Sequence, residues 1–169
     1  MGPRNWVVLG IGFAAFGYLE TAFALLSSPA NFIVWSAVAA GILVAALGLR
    51  SLPGVGVLPV LGFFIAALAQ AFQLVLGFSM HPDNLPLMLS NAAALLGMAA
   101  AAWISWRGRR KAALESGNLR ALSAGFLFAA LAGAGYFVYD GLAGATQFLV
   151  GDAMVIIGLS IAAWKIRAV

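Results

Sequence analysis

The chain has 169 residues, of which 64% are hydrophobic and only 8% charged, far below the roughly one-quarter charged fraction of a water-soluble domain. A water-facing globule is therefore excluded. The net charge of +4 comes from cations at the ends of apolar runs, a pattern of membrane topology rather than of nucleic-acid binding, and with no cysteine and one histidine disulfides, thiol catalysis and bis-histidine haem ligation are excluded too.

A membrane-crossing helix needs roughly 20 mostly apolar residues, and the chain divides into six such segments in order. The first is predicted over 6–26, behind Arg4, and is expected to be a retained span because its apolar run exceeds that of a signal peptide. Ser27 to Ala30 breaks the run, and a second helix follows over 31–49 and stops at Arg50. After the turn Ser51-Leu52-Pro53-Gly54 comes the third, over 57–78, with Pro59 tolerated in its first turn. Ser79 to Asn84 turns the chain into the fourth, over 85–106, which ends in a basic loop over 107–120. The fifth is predicted over 122–139, the Gly-rich stretch Asp140 to Gln147 forms a turn, and the sixth runs over 148–166.

This division puts all nine Lys and Arg residues on one side of the membrane, so both termini are expected to be cytoplasmic. Trp6, Trp103, Trp106 and Trp164 lie near that same interface, as an aromatic belt would. Arg107, Arg109, Arg110 and Lys111 are expected to meet anionic lipid headgroups. The expected location is the cytoplasmic (inner) membrane of a bacterium or archaeon.

The odd-numbered helices share a motif. Gly62-Phe63-Phe64-Ile65-Ala66-Ala67-Leu68-Ala69-Gln70 has a close copy at Gly125 to Gly133 and a looser one at Gly12 to Glu20. Among the even-numbered helices, Ala37-x-x-x-Gly41-x-x-x-Ala45 matches Ala93-x-x-x-Gly97-x-x-x-Ala101, and the sixth keeps Gly158 and Ala162. Small residues four apart let helix backbones approach closely in lipid, so Gly41, Gly97 and Gly158 are expected at packing seams. The predicted fold is an all-α polytopic bundle, a single transmembrane domain of three tandem helical hairpins related by a pseudo-threefold axis.

Ionisable groups within a membrane cost about 2.5 to 3.5 kcal/mol at a helix centre on insertion scales, so each needs a partner or a wet cavity. Glu20 and Asp152 fall in the outer halves of their helices, with no intramembrane cation to pair them. Superposing the motifs sets Gln70 beside Glu20 and Asn91 beside Asp152. With Gln73 on the face of Gln70, these five residues are expected to line a solute or ion path, and Tyr18, Tyr139, Asp140 and His81 to form its rim. Structural roles are open for all of them: hydrogen-bonded acids, amides that staple helices, an unremarkable exposed histidine.

In layout, six short helices as three hairpins with an acid early in the last helix resemble the urea and amide channel family. The resemblance puts Asp152 in the place of that family's glutamate and implies a channel. Where the family has a Thr-Ala-Trp stretch after the acid, Asp152 is followed by Ala153-Met154-Val155, and the family's tryptophan-rich constriction is missing.

No phosphate-binding glycine loop, nucleophile elbow, zinc motif or paired catalytic carboxylates occurs, so no enzymatic activity, metal or cofactor is expected. The expected function is a channel or transporter for a small polar or cationic solute with an outward-facing vestibule, as a homo-oligomer or with partner membrane subunits. The alternatives are a non-catalytic accessory subunit of a larger membrane complex, or the ligand-binding membrane component of a transporter.

Overall fold

The computed structural model describes residues 2–49, 57–80, 83–108 and 116–169. They form α1 (Pro3–Ala24), α2 (Pro29–Leu49), α3 (Val57–Met80), α4 (Leu85–Gly108), α5 (Ser116–Ala143), a 3₁₀ turn over Thr146–Phe148, and α6 (Leu149–Ile166). Each of the six helices is long and apolar enough to cross a membrane. At 1.5 Å per residue, the 18 residues of the shortest, α6, reach about 27 Å, close to the thickness of a bilayer's hydrocarbon core. Phe16, Ile33, Leu68, Leu96, Leu131 and Trp164 are exposed on the outside, an arrangement that suits lipid rather than water. The chain is an integral membrane protein.

Helix ends follow local chemistry. Pro3 occupies the first turn of α1, where its missing N–H costs no hydrogen bond. The Asn84 side chain caps α4 by accepting from the Leu87 amide at 3.2 Å. α5 begins at Ser116, inside the stretch expected as a basic loop, because Leu119 already packs against the core while Arg120 stays exposed beside it. Its far end also runs past the expected stop at Tyr139. There Gly144 adopts φ +72°, and the Ala145 and Gly144 amides donate to the carbonyls of Asp140 at 2.8 Å and Gly141 at 3.3 Å. This paired closure needs a left-handed residue, which glycine supplies without strain. Asp140 therefore sits in the last turn of a helix and not in a loop.

The helices form a closed ring. Each packs against its neighbours in sequence, α6 closes on α1, and among the described residues no other pair of helix backbones comes together. Three seams are glycine crossings: α1 with α6 at Gly10 and Gly158, α2 with α3 at Gly41 and Gly62, and α4 with α5 at Gly97 and Gly125. At each one, the glycine of one helix lies against the carbonyl of its partner glycine and the backbone nitrogen of an alanine four residues further on. Gly41, Gly97 and Gly158, the residues expected at packing seams, each stand at one of these crossings. In α1 the crossing residue is Gly10; Gly12, matched to Gly62 by sequence, has nothing within 4 Å of where a Cβ would stand.

One half of the ring's interior is filled with apolar side chains. Ile11, Phe63 and Phe126 follow the crossing glycines of the odd helices, Ile42, Leu159 and Met98 follow those of the even helices, and none of the six is more than 1% exposed. The Phe63 and Phe126 rings meet at 5.6 Å between centroids. Since the backbones of α3 and α5 are not adjacent, these rings meet across the middle of the ring and fill it. Val7, Leu49, Leu122 and Ile166 extend the buried apolar filling toward the end that carries the termini.

Candidate functional site

The other half of the interior is open. A cavity of about 220 Å³ lies at the end where α1 joins α2, α3 joins α4 and α5 joins α6, and all six helices contribute to its lining. Its walls combine aromatic rings (Tyr18, Trp35, Tyr136, Tyr139, Phe148), aliphatic groups (Leu25, Leu76, Leu87, Val155) and a few polar groups (Thr21, Asn31, Gln73, Asp140, Asp152).

Three rings hold one another in place. Tyr18 stacks on Trp35, with centroids 5.7 Å apart and planes 14° from parallel. Trp35 meets Tyr136 edge to face at 5.8 Å and 82°. Trp35 belongs to α2 and Tyr136 to α5, whose backbones are not adjacent, so this contact spans the interior and forms the cavity floor. The Tyr136 hydroxyl donates to Asn91 Oδ1 from the neighbouring helix, which fixes the ring. All three aromatic residues are at most 7% exposed.

The acids come from adjacent helix ends. Asp140 lies in the last turn of α5, ordered by the glycine closure, and Asp152 in the first turn of α6. Both line the cavity. Asp152 is only 6% exposed, and its Oδ2 has no hydrogen-bond partner among the described residues. The described cations, Arg4, Arg107, Arg120, Lys165 and Arg167, are all at the opposite end of the ring. Arg167 is tied there, donating from Nε to Ser123 Oγ at 2.8 Å, while that hydroxyl donates to the Ala163 carbonyl at 2.7 Å.

Of the residues expected to line a path, Asp152 and Gln73 line the cavity, and Asn91 supports it from behind Tyr136. Gln70 lies one turn deeper in α3, fully buried, with neither amide atom hydrogen-bonded among the described residues. Glu20 is not in the lining; it sits at the α1–α6 seam, its carboxylate against the Gly151 backbone. Of the expected rim, Tyr18, Tyr139 and Asp140 line the cavity, with Tyr18 on its floor. His81, and with it Arg109, Arg110 and Lys111, lies outside the described residues; Arg107 is exposed at the end of α4.

Trp35 and Tyr136 are site residues that sequence reasoning missed. A signal for Trp35 existed, since it stands six residues before Gly41, as Asn91 does before Gly97 and Asp152 before Gly158. Among the described residues no three of His, Asp and Glu are grouped so as to hold a metal ion. No protein-family model, curated protein or solved structure matches the chain, so the layout likeness to urea and amide channels gains no support from comparison.

Proposed function

We propose that the protein binds and transports a small polar or cationic solute through a vestibule that faces away from the cytoplasm. The observation that carries this reading is the cavity itself, built by all six helices at one end of the ring, with an Asp152 oxygen in its wall that has no partner among the described residues. The described cations at the opposite end support a vestibule that faces outward, with both termini in the cytoplasm. The three glycine crossings support a tandem threefold of hairpins, registered on Gly10, Gly62 and Gly125. In that register Tyr18, Gln70 and Gly133 are equivalent, and so are Thr21, Gln73 and Tyr136.

The plug of Ile11, Phe63 and Phe126 favours a carrier or gated path over a permanently open pore, because an apolar constriction excludes water and polar solutes. In this reading Asp140 and Asp152 attract the solute, Gln73 and Asn91 support its path, and Gln70 is the first polar group it meets beyond the floor. Glu20 acts through the α1–α6 seam. The test is uptake of small polar and cationic solutes into proteoliposomes holding the full chain. Flux above protein-free vesicles that falls at least tenfold in Asp152→Asn is expected. Flux no greater than in protein-free vesicles, or indifferent to that substitution, would refute the proposal.

A second reading has one observation in its favour. An apolar groove lined by Ile33, Ala37, Phe64, Leu68 and Phe72 runs between α2 and α3 on the outside of the ring, which would suit a partner membrane subunit. Stoichiometric recovery of such a subunit in gentle detergent, with no flux in its absence, would favour the accessory role.

A further inference from the structure

Resting on the vestibule reading, we infer that the solute is a small organic ammonium ion, held with its charged head between Asp140 and Asp152 and the aromatic lining formed by Tyr18, Trp35, Tyr136 and Tyr139. Three properties of the cavity select this class. The first is charge. Two acids, Asp140 and Asp152, line the cavity, Asp152 is buried with one oxygen unpartnered among the described residues, and residues 8–49, 57–106 and 121–164 contain no Lys or Arg at all. No side-chain cation of these segments is available to balance an ionised carboxylate there, and a cationic ligand would supply that charge.

The second is the lining. An inorganic cation needs six or so oxygen ligands in place of its water, whereas this cavity offers mainly aromatic and aliphatic surface. Its acids do not group as a metal site among the described residues. Aromatic faces instead attract a cation that carries its own apolar shell, the arrangement by which proteins recognise alkylammonium groups. Leu25, Leu76 and Leu87 then cover the carbon skeleton.

The third is size. About 220 Å³ equals the liquid volume of about seven water molecules, at about 30 Å³ each. This admits a small tetraalkylammonium or an alkanolamine.

The experiment uses the full chain in nanodiscs and reads Trp35 fluorescence, identified by its loss in Trp35→Leu; the other tryptophans, Trp6, Trp103, Trp106 and Trp164, lie at the opposite helix ends. Methylammonium, tetramethylammonium and choline are titrated, each against its uncharged carbon isostere, with potassium as competitor. At least one ammonium is expected to bind saturably and at least tenfold more tightly than its isostere, without competition from potassium, and Asp152→Asn is expected to abolish that preference. Equal affinity for the neutral isostere, or displacement by potassium, overturns the ammonium assignment but leaves the vestibule reading standing on its flux test. Absence of binding by every ammonium also overturns the assignment, and if no solute is transported either, the vestibule reading falls with it.

Discussion

Replacing Gly41 by alanine tests the ring's construction most directly. The added methyl carbon would stand 2.6 Å from the Gly62 carbonyl oxygen, 2.8 Å from the Ala66 nitrogen and 3.3 Å from the Ala66 Cα. Ordinary contact begins near 3.4 Å, so α2 and α3 would have to separate by about 0.8 Å at a crossing where backbone faces backbone and no side chain can rotate away. Overpacking of this kind costs about 1–3 kcal/mol. Gly12→Ala is the matched control, because nothing lies within 4 Å of its Cβ position and the substitution should stabilise α1 by up to about 1 kcal/mol through helix propensity. Gly125→Ala should lie between them, its nearest contact being 3.1 Å. Reversible unfolding of the purified chain in bicelles measures all three. A Gly41→Ala variant as stable as Gly12→Ala would refute the close approach of α2 and α3, and with it the ring register that builds the cavity.

Gln70→Leu removes two buried polar atoms that lack hydrogen-bond partners among the described residues. Stability in the same bicelle assay should rise by about 1–2 kcal/mol, while proteoliposome flux should fall because the apolar plug is lengthened toward the cavity. A loss of 1 kcal/mol or more would show instead that the amide staples helices. Tyr136→Phe deletes the hydroxyl that donates to Asn91 Oδ1, and combined with Asn91→Leu in a double-mutant cycle it should give a coupling of about 0.6–1.7 kcal/mol. A coupling near zero would mean that this bond does not hold the floor ring in place.

The membrane class was legible in composition alone, because a bilayer requires long apolar segments whatever their partners. The helix-packing glycines of the even helices were legible too, since Gly41, Gly97 and Gly158 have recurrent small neighbours four residues away. The start of α5 was not, because Leu119 gains its reason to be helical only from a core that the sequence does not display. Nor was the site's outline. Acids stand out in an apolar chain, so Asp152 and Glu20 were both visible, but rarity does not say which way a side chain points.

That direction depends on register. With 20 glycines in the chain, a Gly-based alignment of α1 can slide, and Gly12 matches Gly62 in sequence while Gly10 makes the contact. A slip of two residues turns a helix by about 200°, enough to exchange one face for nearly the opposite one. It is why Tyr18 rather than Glu20 lines the cavity. Sequence by itself determined that six apolar helices cross a membrane and carry few, costly polar groups. Only the tertiary structure decided which of them meet, because backbone approach at three glycine crossings sets the rotation of each helix, and that rotation brings Trp35, Tyr136 and the two aspartates to one cavity.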